Sequence, residues 1–446
     1  MEVKLKTHNS RYIAFQLLKD DRNFLPARLS DKLRYTSLTS RDKALVTQLV
    51  HGINREQLFL DWAISLFSSR PIDEIDKDVK ILLRLGVYQL LCLDKIPPYA
   101  AISETVELGK TFLPSRVVKY INGVLRTVDR QKAIVKEGPS KEDNLKFLSI
   151  YYSHPEWLIT RWCRQWGEDF TRKLCEFNNS PPPLTVRVNT LKILPEELLC
   201  RFKEDGISSC SLKIVPEGLK ILSYLRAEEL SSYDEGLFTI QGESSMIAGK
   251  VLNPQEGDKV MDLCAAPGNK TTHIAELMNN KGHISAVDIS KRRLSLINSN
   301  CLRLGINIIT PVACDVMELG SDYEEKFDRV LLDAPCSGTG VLGRRSDLRW
   351  NKEFNDIKRL SLLQRKLLIK ASSFVRPGGS MVYSVCSIEP EEGEEVVKSF
   401  IKDREDFFLE ELMLPTIINN THTKGLLILP SLHGIEGFFI ARFRKK

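Results

Sequence analysis

The fold is decided by residues 259–288, KVMDLCAAPGNKTTHIAELMNNKGHISAVD. This stretch begins with a short apolar run, passes through a turn of small residues into a helical segment that starts near Thr271, and ends in a second apolar run. The same alternation continues through IITPVACDV, FDRVLLDAP and GGSMVYSVCS. It predicts a parallel, doubly wound, Rossmann-like α/β domain over residues 236–446. The closing LLILPSLHGIEGFFIARFRKK is expected to add strands at one edge of the sheet.

The remaining sequence predicts two further parts, since 446 residues suffice for two or three domains. Apolar residues at helical spacing predict an all-α bundle over residues 1–140, and the charged stretch around Gly138 and Pro139 marks a linker. Residues 141–235 predict a linker and a small α+β unit. This part contains three tryptophans, Trp157, Trp162 and Trp166. They either form an RNA-contacting surface or belong to the core.

Composition narrows the classes of protein. No apolar run is long enough for a membrane helix, and the N-terminus lacks the apolar core of a signal peptide, so we expect a cytoplasmic protein with no membrane partner. The ten cysteines show no CxxC pair, which favours reduced thiols and no metal site. Residues 1–140 carry 23 Lys/Arg against 16 Asp/Glu, a net +7, and the remainder is at −1. A basic module beside a neutral one is typical of nucleic-acid enzymes, although a solvated helical surface gives the same count.

Acidic residues follow or end four successive predicted strands. They are Asp262, Asp288, Asp315 and Asp333. The carboxyl ends of parallel strands share one crevice, where open α/β sheets bind ligands, and a carboxylate after the second strand suits ribose hydroxyls. The turn of residues 264–270 lacks both GxGxxG and the P-loop pattern, which argues against a dinucleotide or ATP. Together these features predict a different nucleoside cofactor.

Two cysteines follow the fourth and fifth predicted strands, namely Cys336 and Cys386. Both thiols are expected in the same crevice, where a thiolate of lowered pKa acts as a nucleophile. Inert burial is the alternative for either cysteine alone. No histidine is paired with them by motif spacing, so a papain-like hydrolase is poorly supported.

These motifs resemble a known family. DLCAAPGNKT, AVDIS, VLLDAPCSGTG and YSVCSIEPEEGE are similar, in order and spacing, to the motifs of the S-adenosylmethionine-dependent RNA cytosine-5 methyltransferases of the Sun family, in the bacterial RsmB/Sun/Fmu type that acts on 16S ribosomal RNA. QGESSMIAGKVLNPQEGDKVMDL, RVNTLK and LGRRSDLRW resemble further stretches of that family, RVNTLK belonging to its RNA-contacting subdomain. Residues from RDKALVTQLVHGINR to YINGVLR resemble its NusB-like RNA-binding domain.

The resemblance implies roles for individual residues. Cys386 is implied as the nucleophile on cytosine, Cys336 as the residue that assists release, and Asp333 as a catalytic group bordering both base and cofactor. Asp288 is implied to hold the ribose and Asp315 to lie by the adenine. The methionine end of S-adenosylmethionine is implied to sit on the loop of Cys264, Ala265, Ala266, Pro267, Gly268, Asn269 and Lys270.

The implied partner is 16S ribosomal RNA, with no obligate protein partner and a monomeric state. Two alternatives stay open: a transfer RNA cytosine-5 methyltransferase, and an inactive RNA-binding or antitermination-like factor. The sequence departs from the family pattern at Asn269, which replaces a usual glycine, at Gly393, which replaces a usual asparagine, and in RRSDLRW. Because asparagine tolerates positive φ, we expect the loop to keep its shape.

Overall fold

The computed structural model describes residues 9–20, 25–223, 227–412 and 424–446. It divides into two compact units, one of residues 1–180 with 345–351, the other of residues 181–344 with 352–446. Residues 1–8, part of the predicted helical region, lie outside the described ranges. None of the helices described is both long and apolar enough to cross a membrane.

The first unit is helical, as predicted for residues 1–140, and it also contains residues 141–180, which were predicted to belong with the linker and small α+β part. Its helices are α1 Ser10–Lys19, α2 Leu25–Arg34, α3 Ser40–Arg55, α4 Gln57–Ser65, α5 Lys77–Cys92, α6 Pro98–Lys110, α7 Ser115–Arg130, α8 Lys132–Glu137, α9 Asn144–Tyr151, α10 Glu156–Trp166 and α11 Glu168–Asn179. α5 begins where the Asp76 carboxylate accepts the amides of Asp78 and Val79, and its middle is buried. Gly86 lets α7 pack closely, because a Cβ there would lie 2.5 Å from a methyl of Leu125.

Residues 345–351 complete the helical unit. Arg349 is fully buried and donates to the carbonyls of Arg55, Ser153 and Asn178 and to Oδ1 of Asn179. A guanidinium has five N–H donors, so burial without such acceptors is costly. The RRSDLRW stretch, which departs from the family pattern, therefore anchors itself through a buried arginine.

The second unit begins with a small four-stranded antiparallel sheet. Its elements are β1 Leu184–Val188, α12 Pro195–Glu204, β2 Ser209–Ser211, β3 Gly218–Ile221, α13 Ser231–Asp234 and β4 Phe238–Ile240, in the order β2-β3-β1-β4. The prolines at 181–183 precede β1, where the next strand was predicted. The α+β prediction is confirmed.

The rest of the unit is the predicted α/β domain. Its elements are α14 Glu243–Leu252, β5 Lys259–Leu263, α15 Asn269–Leu277, β6 His283–Asp288, α16 Lys291–Leu304, β7 Ile309–Ala313, β8 Phe327–Asp333, α17 Phe354–Phe374, β9 Val375–Val385, α18 Glu394–Asp403, β10 Phe407–Leu409, β11 Leu426–Ile428, α19 Pro430–His433 and β12 Phe438–Lys445. Short 3-10 turns also occur, among them Val316–Glu318 and Thr339–Val341.

The strand order places the functional crevice. In the order β10-β12-β9-β8-β5-β6-β7, the strands β9 to β7 are parallel, and β12 joins β9 antiparallel, as expected for the C-terminal stretch. In the sheet, β6 lies on one side of β5 and β8 on the other, so the strand order reverses direction at β5. The topological switch point therefore lies at the carboxyl end of β5. Val260, Met261 and Leu263 of β5 are fully buried, as a central parallel strand requires.

Candidate active site

Two cysteines meet at the carboxyl ends of neighbouring strands. β8 and β9 pair in parallel with Asp333 opposite Ser384, so the loops that follow both strands leave the sheet side by side. Cys336 and Cys386 lie in these loops, and their Sγ atoms are 3.3 Å apart. Both are free thiols, as are the other eight cysteines.

The environment makes the two thiols unequal. A hydrogen bond from the Cys336 thiol lowers the pKa of Cys386 from its ordinary value of 9.0. Burial and the Asp333 charge oppose this shift, and the Lys270 charge supports it. The same bond, together with burial, raises the pKa of Cys336. These opposite shifts favour Cys386 as the thiol of the pair that ionises first, with Cys336 as its hydrogen-bond donor, an arrangement suited to a single nucleophile.

Asp333 and Lys270 form an ion pair beside the cysteines. Lys270 Nζ lies 2.7 Å from Asp333 Oδ2 and 5.1 Å from the ring centre of Phe438. Ser384 donates its hydroxyl proton to the other Asp333 oxygen at 2.8 Å. The Asp333 side chain is 32% exposed, so it is held in place yet accessible from the crevice.

The loop after β5 has a bent backbone. Cys264 has φ +60° and Gly268 has φ +99°, and a Cβ at Gly268 would lie 2.8 Å from Ile297. Helix α15 begins at Asn269, two residues before the predicted start, and its first-turn amides have no acceptor within the helix. Asn269 is helical and donates its side-chain amide to the Ile240 carbonyl. The expected reason for its tolerance, a positive φ, is therefore wrong, because the positive φ belongs to Gly268.

The strand-end aspartates separate into different environments. Asp288, the last residue of β6, accepts the amides of Ala266 at 3.1 Å and Ser290 at 2.9 Å and so joins the loop to the second strand. Burial, with Asp333 and Asp288 nearby, raises the pKa of Asp262 to about 7. Asp315 lies two residues beyond β7, not at its end as predicted, and caps a 3-10 turn through the amide of Met317.

Comparison with known proteins identifies the family. Residues 249–444 match the family described as 16S rRNA methyltransferase RsmB/F, residues 8–130 the NusB family, and residues 154–227 the RsmF/B-like ferredoxin-like domain. The chain is 36% identical to the probable ribosomal RNA small subunit methyltransferase B of Bacillus subtilis, over 94% of each chain. The chain belongs to the RsmB/F methyltransferase family.

The chain is also similar to other proteins over most of its length. The probable ribosomal RNA small subunit methyltransferase B of Synechocystis is 35% identical over 98% of this chain and 99% of its own. The crystal structure of PH0851 has a TM-score of 0.85, 29% identity and coverage of 98% of both chains. NSun6 from Pyrococcus horikoshii, solved with the S-adenosylmethionine analogue SFG, has a TM-score of 0.59 and 28% identity over 65% of this chain and 98% of its own.

S-adenosylmethionine is the cofactor of the RsmB/F family, and the crevice has the chemistry to accept it. Its sulfonium is a cation, and Asp262, Asp288 and Asp333 place acidic groups around the end of β5. Each oxygen of Asp288 accepts one described amide, and Arg293 Nη1 lies 3.8 Å from Oδ2, so the carboxylate has lone pairs left for a further donor. Among the described residues, no cluster of three or more His, Cys, Asp or Glu side chains is placed to bind a metal.

Two residues from the stretches considered for RNA contact, Arg187 and Trp162, are buried. Arg187, the first residue of the RVNTLK stretch for which the resemblance implied RNA contact, is fully buried and pairs with both oxygens of Glu276 at 2.7 and 2.8 Å. It also donates to the Asn269 carbonyl at 2.8 Å. Arg187 therefore holds α15, the helix that follows the loop after β5, from inside the protein. Trp162 is likewise core, whereas Trp157 and Trp166 are half-buried.

Glu392 links the two cysteine loops, although no sequence motif pointed to it. Its buried carboxylate accepts the Ser337 amide at 2.8 Å, the Ser337 hydroxyl, and the Gln364 amide at 3.1 Å. Tyr383 of β9 donates to the Glu392 carbonyl at 2.5 Å. Position 392, within the EPEEGE run, was one of several acidic residues with no feature to distinguish it.

Proposed function

We propose that this protein methylates carbon 5 of a cytosine in 16S ribosomal RNA through a covalent adduct on Cys386. The observation that carries the proposal is the 3.3 Å contact between the Cys336 and Cys386 sulfurs at the carboxyl ends of β8 and β9. A methyltransferase acting on an atom that is already nucleophilic has no use for such a pair, whereas carbon 5 of cytosine must first be activated.

Cys386 supplies that activation. Its thiolate attacks carbon 6 of the base, a carbon–sulfur bond forms, and the electron pair of the 5,6 double bond makes carbon 5 nucleophilic. S-adenosylmethionine supplies the methyl group from its sulfonium when bound. A base then takes the carbon 5 proton, the double bond re-forms, and the Cys386 thiolate leaves.

Asp333 orients the base. Lys270 and Ser384 hold its carboxylate at the crevice, where it can accept a hydrogen bond from the exocyclic amine of cytosine. A uracil presents a carbonyl at that position and would face the carboxylate oxygen without a proton between them. This arrangement accounts for a cytosine substrate.

Cys336 assists release. Its sulfur lies 3.3 Å from the Cys386 sulfur, so its thiol is placed to donate a hydrogen bond to the thiolate that departs when the adduct breaks down. The pairing thus serves both ends of the reaction: it lowers the pKa of the nucleophile before attack and favours the leaving group afterwards.

The loop after β5 and the strand-end aspartates hold the cofactor in this proposal. The bent backbone of residues 264–270 and the amides at the start of α15 take the carboxylate of the methionine end, since a helix N-terminus favours negative charge. Asp288 takes the ribose hydroxyls, and Asp315 is assigned to the adenine side.

The test is methyl transfer to 16S RNA with labelled S-adenosylmethionine, with bisulfite sequencing to find 5-methylcytosine. Cys386→Ala should abolish transfer while calorimetry shows unchanged cofactor binding, and Cys336→Ala should accumulate a denaturant-stable protein–RNA adduct. Cys200→Ala, an exposed thiol on α12, is the matched control and should behave as the wild type.

Other outcomes distinguish the alternatives. Methylation undiminished in Cys386→Ala would overturn the nucleophile assignment. Transfer to transfer RNA in preference to 16S RNA would assign transfer RNA as the substrate. A wild-type protein that binds RNA but shows no S-adenosylmethionine binding by calorimetry would be the inactive factor.

A further inference from the structure

A groove in the helical unit lies between α6 and α7. Its volume is about 1250 Å³. Gly123, in the middle of α7, faces open space, since a Cβ there would meet no atom within 4 Å. The groove therefore has room for an extended polymer segment. Its lining is partly apolar and includes Val106, Leu113 and Val118.

The charge of the groove is unbalanced toward cations. Lys119, Arg126 and Arg130 line it and are exposed, and none of the ion pairs described involves them. Arg126 contacts only the Asn122 amide oxygen and Arg130 only the Thr127 hydroxyl among the described hydrogen bonds. The two acidic residues of the lining are each paired with a lysine, Glu107 with Lys110 and Asp129 with Lys132.

The three cations are spread along the groove. At a rise of about 1.5 Å per residue, Lys119 to Arg126 spans about 10 Å along α7 and Arg126 to Arg130 about 6 Å. A single compact anion would need these groups to converge on one point, whereas a polyanion with phosphates along its length would meet them in turn.

An aromatic side chain stands at the same groove. Tyr99, in the first turn of α6, is 76% exposed. Leaving so large a ring in water forgoes the free energy that its burial would provide. An aromatic ring beside a row of cations is the arrangement that binds single-stranded nucleic acid, through base stacking and phosphate contacts.

We propose that the α6–α7 groove binds a single-stranded segment of the RNA substrate, with phosphates on Lys119, Arg126 and Arg130 and a base stacked on Tyr99. This inference rests on the proposed function for the identity of the RNA. It assigns part of the excess positive charge of the N-terminal third to a particular docking surface and makes substrate affinity separable from methyl transfer.

The experiment measures RNA binding by the full-length protein as a function of salt. The variant carries Lys119→Ala, Arg126→Ala and Arg130→Ala, and the matched control carries Arg41→Ala, Lys95→Ala and Lys146→Ala, three exposed cations outside the groove. Each lost phosphate contact to a single strand lowers the slope of log K against log salt by about 0.7, so the groove variant should lose about 2 from that slope. The control should keep the wild-type slope.

Two further measurements separate docking from folding and from chemistry. At saturating RNA the groove variant should keep the wild-type kcat and show a raised KM. Tyr99→Leu should weaken binding of a single-stranded fragment about tenfold or more, while Tyr99→Phe should retain it, because phenylalanine still stacks.

An unchanged salt slope in the triple variant would overturn the proposal, and so would equal losses in the groove and control variants. Weaker binding of an acidic peptide with unchanged RNA binding would assign the groove to a protein partner instead. Binding is measured without turnover, so absence of 5-methylcytosine with intact RNA binding would count against the proposed function alone.

Discussion

Replacing Arg187 by methionine tests whether this residue is an internal support of the cofactor loop. The side chain is fully buried and donates to Glu276, to the Thr272 hydroxyl at 3.0 Å, and to the Asn269 carbonyl. Methionine fills similar apolar volume but leaves the Glu276 carboxylate without its cation. Breaking one partner of a buried pair in this way costs about 3–5 kcal/mol.

A double variant measures how much of this loss belongs to the pair. Arg187→Met with Glu276→Met removes both charges, so most of the loss should be recovered, because the destabilisation comes from an unpaired buried charge. The exposed pair of Arg201 and Glu235 in the same unit is the control, and Arg201→Met should change the midpoint little.

The assay is guanidinium unfolding, with hydrogen exchange over α15 to show which unit responds. Burial raises the pKa of Glu276 and Arg187 opposes this, so in Arg187→Met the pKa rises further. A carboxyl with a raised folded-state pKa destabilises above that pKa and less below it, so the deficit of Arg187→Met should shrink as the pH falls from 7 to 5. A loss below about 1 kcal/mol at pH 7, or no recovery in the double variant, would refute the reasoning.

Three further predictions follow from the crevice. Glu392→Ala should slow adduct formation about 100-fold, because it loosens the loops that hold the two cysteines, and Glu392→Gln should slow it less. A Glu392→Ala rate equal to that of the wild type in single-turnover assays would contradict this. Gly393→Asn, which restores the family's usual residue, should lower the free energy of unfolding by about 1–3 kcal/mol in denaturant titration, because a Cβ there would lie 2.9 Å from the Phe439 ring; a neutral effect would show that the ring can move. The pH profile of adduct formation should shift to higher pH in Cys336→Ala, which removes the donor that lowers the pKa of Cys386, and stay near the wild type in Cys336→Ser; identical profiles for the two variants would count against the hydrogen bond.

Local pattern predicted much of this architecture. Alternating apolar runs and helical segments identified the parallel sheet, and counting to the end of each strand found Asp288 and Asp333 and placed Cys336 and Cys386 in one crevice. These features are recoverable because strand direction and side-chain period are set by neighbouring residues, and parallel strands bring their carboxyl ends to one edge.

Tertiary structure alone decided which charged residues are buried and what they hold. Arg187 and Glu276 are 89 positions apart, and Ser337 and Glu392 are 55 apart, so no periodicity links them. Arg349 lies in a stretch between two strands of the sheet yet completes the helical unit. A buried charge persists only where distant segments supply its partners, and the sequence names the charge without naming those partners.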